Sequence, residues 1–323
     1  MGLLAGTADG LYRLTDGAPE RLADGDVAAL AVDGTTVWAV VDATALMCGG
    51  ADGGFAFVTA HDRSLRSLLP TAHGLLAGTA EAGLTRLQAD RLVPVEGFGA
   101  VAGRDDWYTP WGGPADTRSL ATGPDGTLYA NVHVGGIVRS SDDGAAWEPT
   151  IDVDADVHQV TVAGEFVLAA SARGLAVSDD RGTSWCWRTE GLHARYARAV
   201  AVVGGTVLVS VSQGPGGGRS AVYCGPLGTD GSLTRCRQGC PSGSLATSTP
   251  AASSPTAGRW RPPTRAPCTA PGTRVGPGGW LPQTSRPCAV SHRSASLPGR
   301  VARSRIERRV AAPRLELLEQ ARD

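Results

Sequence analysis

The sequence predicts an all-β fold assembled from repeated four-stranded antiparallel units, and three observations predict it. A short phrase recurs six times: Gly-x-apolar-x-Ala, then within two to six residues Gly-apolar-x-Arg or Ser. Its apolar residues alternate with period two and glycine marks each reversal, so each copy reads as a hairpin. The composition agrees: 42% hydrophobic and only 5% aromatic residues, with 44 glycines, suit many short strands joined by tight turns. Four short strands repeating every ~40 residues are the signature of one propeller blade. The expected architecture is therefore a β-propeller, seven-bladed by design, with about six blades intact over residues 1–239 and a disordered C-terminal tail over 240–323.

The first hairpin joins Gly2 to Thr7 with Gly10 to Arg13. A weaker second copy centres on Val37 to Val40. The third joins Gly74 to Thr79 with Gly83 to Arg86, and the fourth joins Gly126 to Ala130 with Gly136 to Ser140. The fifth and sixth centre on Val167 to Ala170 and Val207 to Ser210. A further strand precedes each of the last five hairpins, beginning near Val27, Leu65, Thr117, Val157 and Tyr196. Most of these strands end in an Asp-Gly or Gly-Gly turn.

Two copies carry a sharper motif, Ser-x-Asp-x-Gly-x-small-Trp. Ser140, Asp142, Gly144 and Trp147 form one, and Ser178, Asp180, Gly182 and Trp185 the other. With these the chain resembles the Asp-box (BNR) repeat proteins, a group that includes sialidases and sortilin-like receptors within the wider WD40/YVTN-like propellers. In such a loop the aspartate accepts hydrogen bonds from turn N–H groups, the glycine permits the bend, and the tryptophan packs between blades. The resemblance implies a fold and leaves the chemistry open.

Charge divides the chain. Residues 1–239 carry 17 arginines against 27 carboxylates, a net of −10, and residues 240–323 carry 13 against 4, a net of +9. Lysine is absent throughout. A basic arm ordinarily points to nucleic acid, but the tail has another reading. Shifted by one nucleotide, the codons for Arg265 to Thr273 permit Gly-x-Val-Tyr-Arg-Ser-x-Asp, the start of another blade phrase. The tail then reads as an out-of-frame seventh blade, and Cys240, Cys268 and Cys288 need no functional role. No signal peptide or transmembrane span is apparent. Cys48, Cys186, Cys224 and Cys236 read as buried thiols, which places the chain in the cytoplasm.

Aligning the five preceding strands puts Ala28, Arg66, Arg118, His158 and Arg198 at one repeat position, on a ring around the central channel. Arginines there form either a cationic rim for an anionic ligand or inter-blade contacts to Asp and carbonyl groups. His133, His193 and Tyr196 are expected near that rim. Trp107, Tyr108 and Trp111 lie on a longer insertion, Gly97 to Pro114, of the kind that carries binding on propellers. Asp152, Asp154 and Asp156 with His158 resemble a calcium loop but lack its Gly and Glu, so no metal and no cofactor is expected. No pair of carboxylates placed for glycoside hydrolysis stands out. The expected function is a non-enzymatic binding or scaffold propeller, monomeric if closed, for a protein or an anionic small molecule and not for a membrane. The alternatives are a sialidase-like glycosidase using Arg66, Arg118 and Arg198 as a carboxylate clamp, and nucleic-acid binding by the tail.

Overall fold

A computed structural model of the chain describes residues 3–50, 52–109 and 112–237. The tail, its three cysteines and Trp111 lie outside the described residues. Six antiparallel sheets follow one another along the chain, five of four strands and the first of three. Every strand pairs with its sequence neighbour, so each sheet is a simple meander. The chain is a β-propeller, as the repeat period requires.

In blades two to six the innermost strands are Val27–Asp33, Leu65–Thr71, Asp116–Thr122, Val157–Ala163 and Tyr196–Val203. All five begin within a residue of the expected positions. The hairpin strands follow, for example Leu128–His133 with Gly136–Ser140 in blade four. The outermost strands range from Gly53–Ala60 in blade two down to Glu148–Pro149 and Thr234–Arg235 in blades four and six. Short edge strands present few open backbone groups to other chains. In the first blade Leu3–Gly6 pairs with Gly10–Leu14 and stands where the other blades have their second strand.

There is no single core. Five apolar clusters each span two consecutive blades. Leu11 with Val27 and Ala39 joins blades one and two, and Leu46 with Leu68 and Leu75 joins two and three. Leu76 with Leu120 and Val138 joins three and four. Tyr129 with Val160 and Val167 joins four and five, and Leu168 with Val200 and Val207 joins five and six. A blade buries its second strand on both faces only where it has a neighbour on each side. Leu128–His133 is buried throughout, whereas Leu3 in the first blade is 67% exposed.

Polar side chains stitch the inner strands together. Ser67 Oγ donates to the Thr117 carbonyl at 3.0 Å. The amide of Val160 donates to Ser119 Oγ at 2.9 Å, and that of Val200 to Gln159 Oε1 at 2.9 Å. Ser67, Ser119 and Gln159 occupy one repeat position and are all buried. Each would cost a buried polar group its partner if its blade moved away.

Both Ser-x-Asp loops have one geometry. Ser140 Oγ accepts from the Gly144 amide at 2.8 Å and donates to Asp142 Oδ1 at 2.7 Å, and Asp142 Oδ1 also accepts from the Ala146 amide at 2.9 Å. Ser178 and Asp180 repeat this with Gly182 and Ser184 at 2.7–2.8 Å. Asp143 and Arg181 take positive φ beside the glycines. The tryptophans lie between blades as expected. Trp147 meets Phe98 edge-on at 5.2 Å, and Trp185 Nε1 donates to the Thr150 carbonyl of the preceding blade at 3.0 Å. Blade six lacks the motif. There the buried guanidinium of Arg188 binds the carbonyls of Pro226, Gly228 and Gly231 at 2.8–3.3 Å and holds the corresponding loop from blade five.

Candidate functional site at the channel mouth

Every inner strand in blades two to six carries a β-bulge. The register shifts fall between Val27 and Ala29, Leu65 and Ser67, Thr117 and Ser119, Val157 and Gln159, and Ala197 and Ala199. The bulged residues are Ala28, Arg66, Arg118, His158 and Arg198, the five aligned by sequence. A bulge unpairs one residue and re-aims its side chain. Two residues earlier stand Asp26, Ser64, Asp116, Asp156 and Tyr196, a second polar layer at the strand starts.

The two layers interlock between blades. Arg66 Nε lies 3.2 Å from Asp116 of the next blade. His158 stacks beside Tyr196 of the next blade, with ring centroids 4.5 Å apart. Arg198 lies over the Tyr196 ring at 5.3 Å and donates to the Pro215 carbonyl. Arg66 is thus engaged by the next blade, and Arg198 by residues of its own blade. Arg118 differs. Its guanidinium is half-buried, feels the charges of Asp116, Tyr196, Arg66 and Asp156, and makes no ion pair or hydrogen bond among the described residues. Burial pushes its pKa down, against the pull of Asp116.

His133, at the end of blade four's second strand, completes the cluster. Its Nε2 lies 3.0 Å from Asp156 Oδ1, and His158 Nε2 lies 3.6 Å from the same oxygen. Asp156 begins blade five's inner strand in left-handed backbone, φ 50°. Burial works to raise its carboxyl, but the neighbouring imidazoles of His133 and His158 override this and hold it well below the usual carboxylate range. Burial raises the Tyr196 phenol, assisted by Asp156.

Other expected residues fall elsewhere. His193 is not at the rim: its Nδ1 meets the Tyr223 hydroxyl at 2.7 Å, and the two rings stack between blades five and six. Trp107 packs on Phe98 and under Arg104, which makes it a loop-packing residue. Tyr108 is 45% exposed, and its backbone pairs with Val134 beside His133. Asp152 caps a short turn by accepting from the Asp154 amide at 2.8 Å, so of that acidic run only Asp156 joins His158. Cys48, Cys186, Cys224 and Cys236 are all only partly buried. The cytoplasmic placement drew on four buried thiols and loses that support. Among the described residues no helix is long and apolar enough to cross a membrane.

The repeat alignment picks out the five bulged residues; of the layer two residues earlier, the sequence draws attention to Asp156 and Tyr196 but not to Asp116. Asp116 and Asp156 carry a signal in hindsight: each stands two residues before a member of the aligned position, Arg118 or His158.

No protein-family model matches the chain, and no curated protein matches its sequence. Solved structures do resemble it. The computationally designed Ika8 protein has a TM-score of 0.53 at 12% identity, over 75% of this chain and 72% of that one. YCF48 bound to D1 peptide gives 0.50 at 15% identity, over 71% and 76%. An ancestral GH74 enzyme gives 0.53 at 13% identity, over 68% of this chain and 32% of that one. At these identities the likeness carries the fold alone.

Proposed function

We propose that the chain is a binding propeller of the Asp-box repeat kind that takes an anionic ligand at the channel mouth formed by blades four to six. The observation that carries this reading is Arg118. A half-buried guanidinium with no hydrogen bond or ion pair is costly, because a desolvated charge needs a counter-charge or full hydrogen bonding. A carboxylate or phosphate approaching along the channel supplies both, in the fork geometry that arginine favours. Arg66 and Arg198 border the site and hold its walls through Asp116, Pro215 and Tyr196.

Calorimetric titration with glucuronate, sialic acid and inorganic phosphate tests this. At least one binds the wild type, and Arg118→Ala weakens it about tenfold or more, the scale of a charge-assisted pair. An affinity unchanged in Arg118→Ala would sink the reading. Turnover of fluorogenic glycosides would instead favour the glycosidase alternative. Asp116 and Asp156, the carboxylates nearest Arg118, are both already engaged by basic neighbours, which gives that alternative little support.

A further inference from the structure

The tautomer of His158 is set by its surroundings. Nδ1 lies 2.5 Å from the Ala197 carbonyl. A carbonyl only accepts, so Nδ1 carries a hydrogen and Nε2 of the neutral ring presents a lone pair. That side chain is only 6% exposed, and Nε2 has no hydrogen-bond partner. The group it faces, Asp156 Oδ1 at 3.6 Å, is also an acceptor. Two buried lone pairs aimed at each other need positive charge between them. A proton on Nε2 is one solution, but the third member of the cluster favours another. His133 brings a second imidazole nitrogen to the same carboxylate oxygen, and one donor atom from each residue lies within 4.8 Å of the others. The bond from His158 Nδ1 to a backbone carbonyl is also how metal-ligating imidazoles are oriented.

We propose that His133, Asp156 and His158 bind one divalent first-row transition-metal ion through two imidazole nitrogens and one carboxylate oxygen. Nitrogen donors suit zinc, copper, nickel or ferrous iron, whereas calcium and magnesium take oxygen ligands. Bonds of about 2.0–2.2 Å require the three donor atoms to draw closer together on binding. Three protein ligands leave a coordination position open, as in sites that take an exogenous ligand. Arg118, within the field of Asp156, opposes a bare cation. A small anion set between Arg118 and the ion offsets that repulsion, so anion and metal strengthen each other's binding, and by the same factor. The metal site rests on its own three donors and does not need the anion reading to hold.

The test uses the full chain free of any polyhistidine tag, stripped with chelator and titrated with cobalt. One equivalent is expected, with visible d–d absorption that one equivalent of zinc displaces. His158→Ala abolishes the absorption and Asp156→Asn weakens binding at least tenfold, while His73→Ala, on an exposed turn, changes neither. Arg118→Ala retains the stoichiometry, so failure of the anion reading leaves this result standing. Cobalt binding that is absent, or equal in wild type and His158→Ala, overturns the proposal. Should the variants misfold by circular dichroism, pulsed electron paramagnetic resonance of the copper-loaded wild type decides. Two coordinated imidazoles support the site, and one or none overturns it.

Discussion

At the scale of single residues, the serine of each Ser-x-Asp loop does more than its sequence motif discloses. Ser140 and Ser178 accept from the loop glycine amide and hand their own hydrogen to the aspartate. The aspartate role was legible because short acidic side chains at turns have a known local chemistry. The serine relay was not, because hydroxyl direction depends on the folded loop. Asp142 is held below the usual carboxylate range chiefly by the Ala146 amide. At Asp180 burial works upward and the Ser184 bonds prevail, so its pKa is also lowered. A depressed folded pKa gives stability above the unfolded value of about 3.9, lost as pH falls through the folded value. The melting temperature should therefore drop on acidification below about pH 4. Asp180→Asn should flatten part of that drop and cost about 1–2 kcal/mol at neutral pH, read by thermal melts across pH. Trp147→Ala should cost more, about 3–5 kcal/mol, since it empties a packed site between two blades.

At the scale of elements, the inner strands were legible and their bulges were not. Alternation and a closing turn locate a strand. An inserted residue shifts the alternation by one position, and in a strand of seven residues so short a break does not stand out. Strict alternation would put Arg66 and Leu68 on one face. The bulge lets Leu68 enter the core while Arg66 turns to the channel. Aligning repeats found Arg66, Arg118 and His158 because the same deviation occurs at the same place in every blade. His133 belongs to a different strand and stands outside that alignment, though it was named with the rim; its Nε2 lies 3.0 Å from Asp156, whereas His193, named with it, turns to Tyr223. Contacts between elements are equally exacting. A Cβ on Gly97 would collide with the Ala145 carbonyl and crowd that of Gly144. Gly97→Ala should therefore undock the first Ser-x-Asp loop from blade three. A loss of about 2–3 kcal/mol in urea titration, the scale of overpacking, is the expected result; unchanged stability would contradict this packing.

At the scale of the whole molecule, stability is a chain of nearest-neighbour terms, because each of the five cores belongs to one pair of blades. Interior blades are held from two sides. In the described residues blade one is covered only by blade two, and blade six packs on blade five. Among the arginines of the described blades, limited trypsin digestion should cut Arg13, Arg21 and Arg219 first and Arg139 and Arg173 last. Simultaneous cutting at all of them would mean that the blades unfold as one unit. The blade number was readable from repetition, and the charge-split tail stands apart from any structural account. The stitches between inner strands give this linear arrangement an internal clock. The amides of Val160 and Val200 donate to side chains of the preceding blade. Solvent deuterium reaches them when two blades part, even if both blades remain folded. Their exchange rates, set against those of ladder amides in the same strands, time the opening of a seam separately from the melting of a sheet.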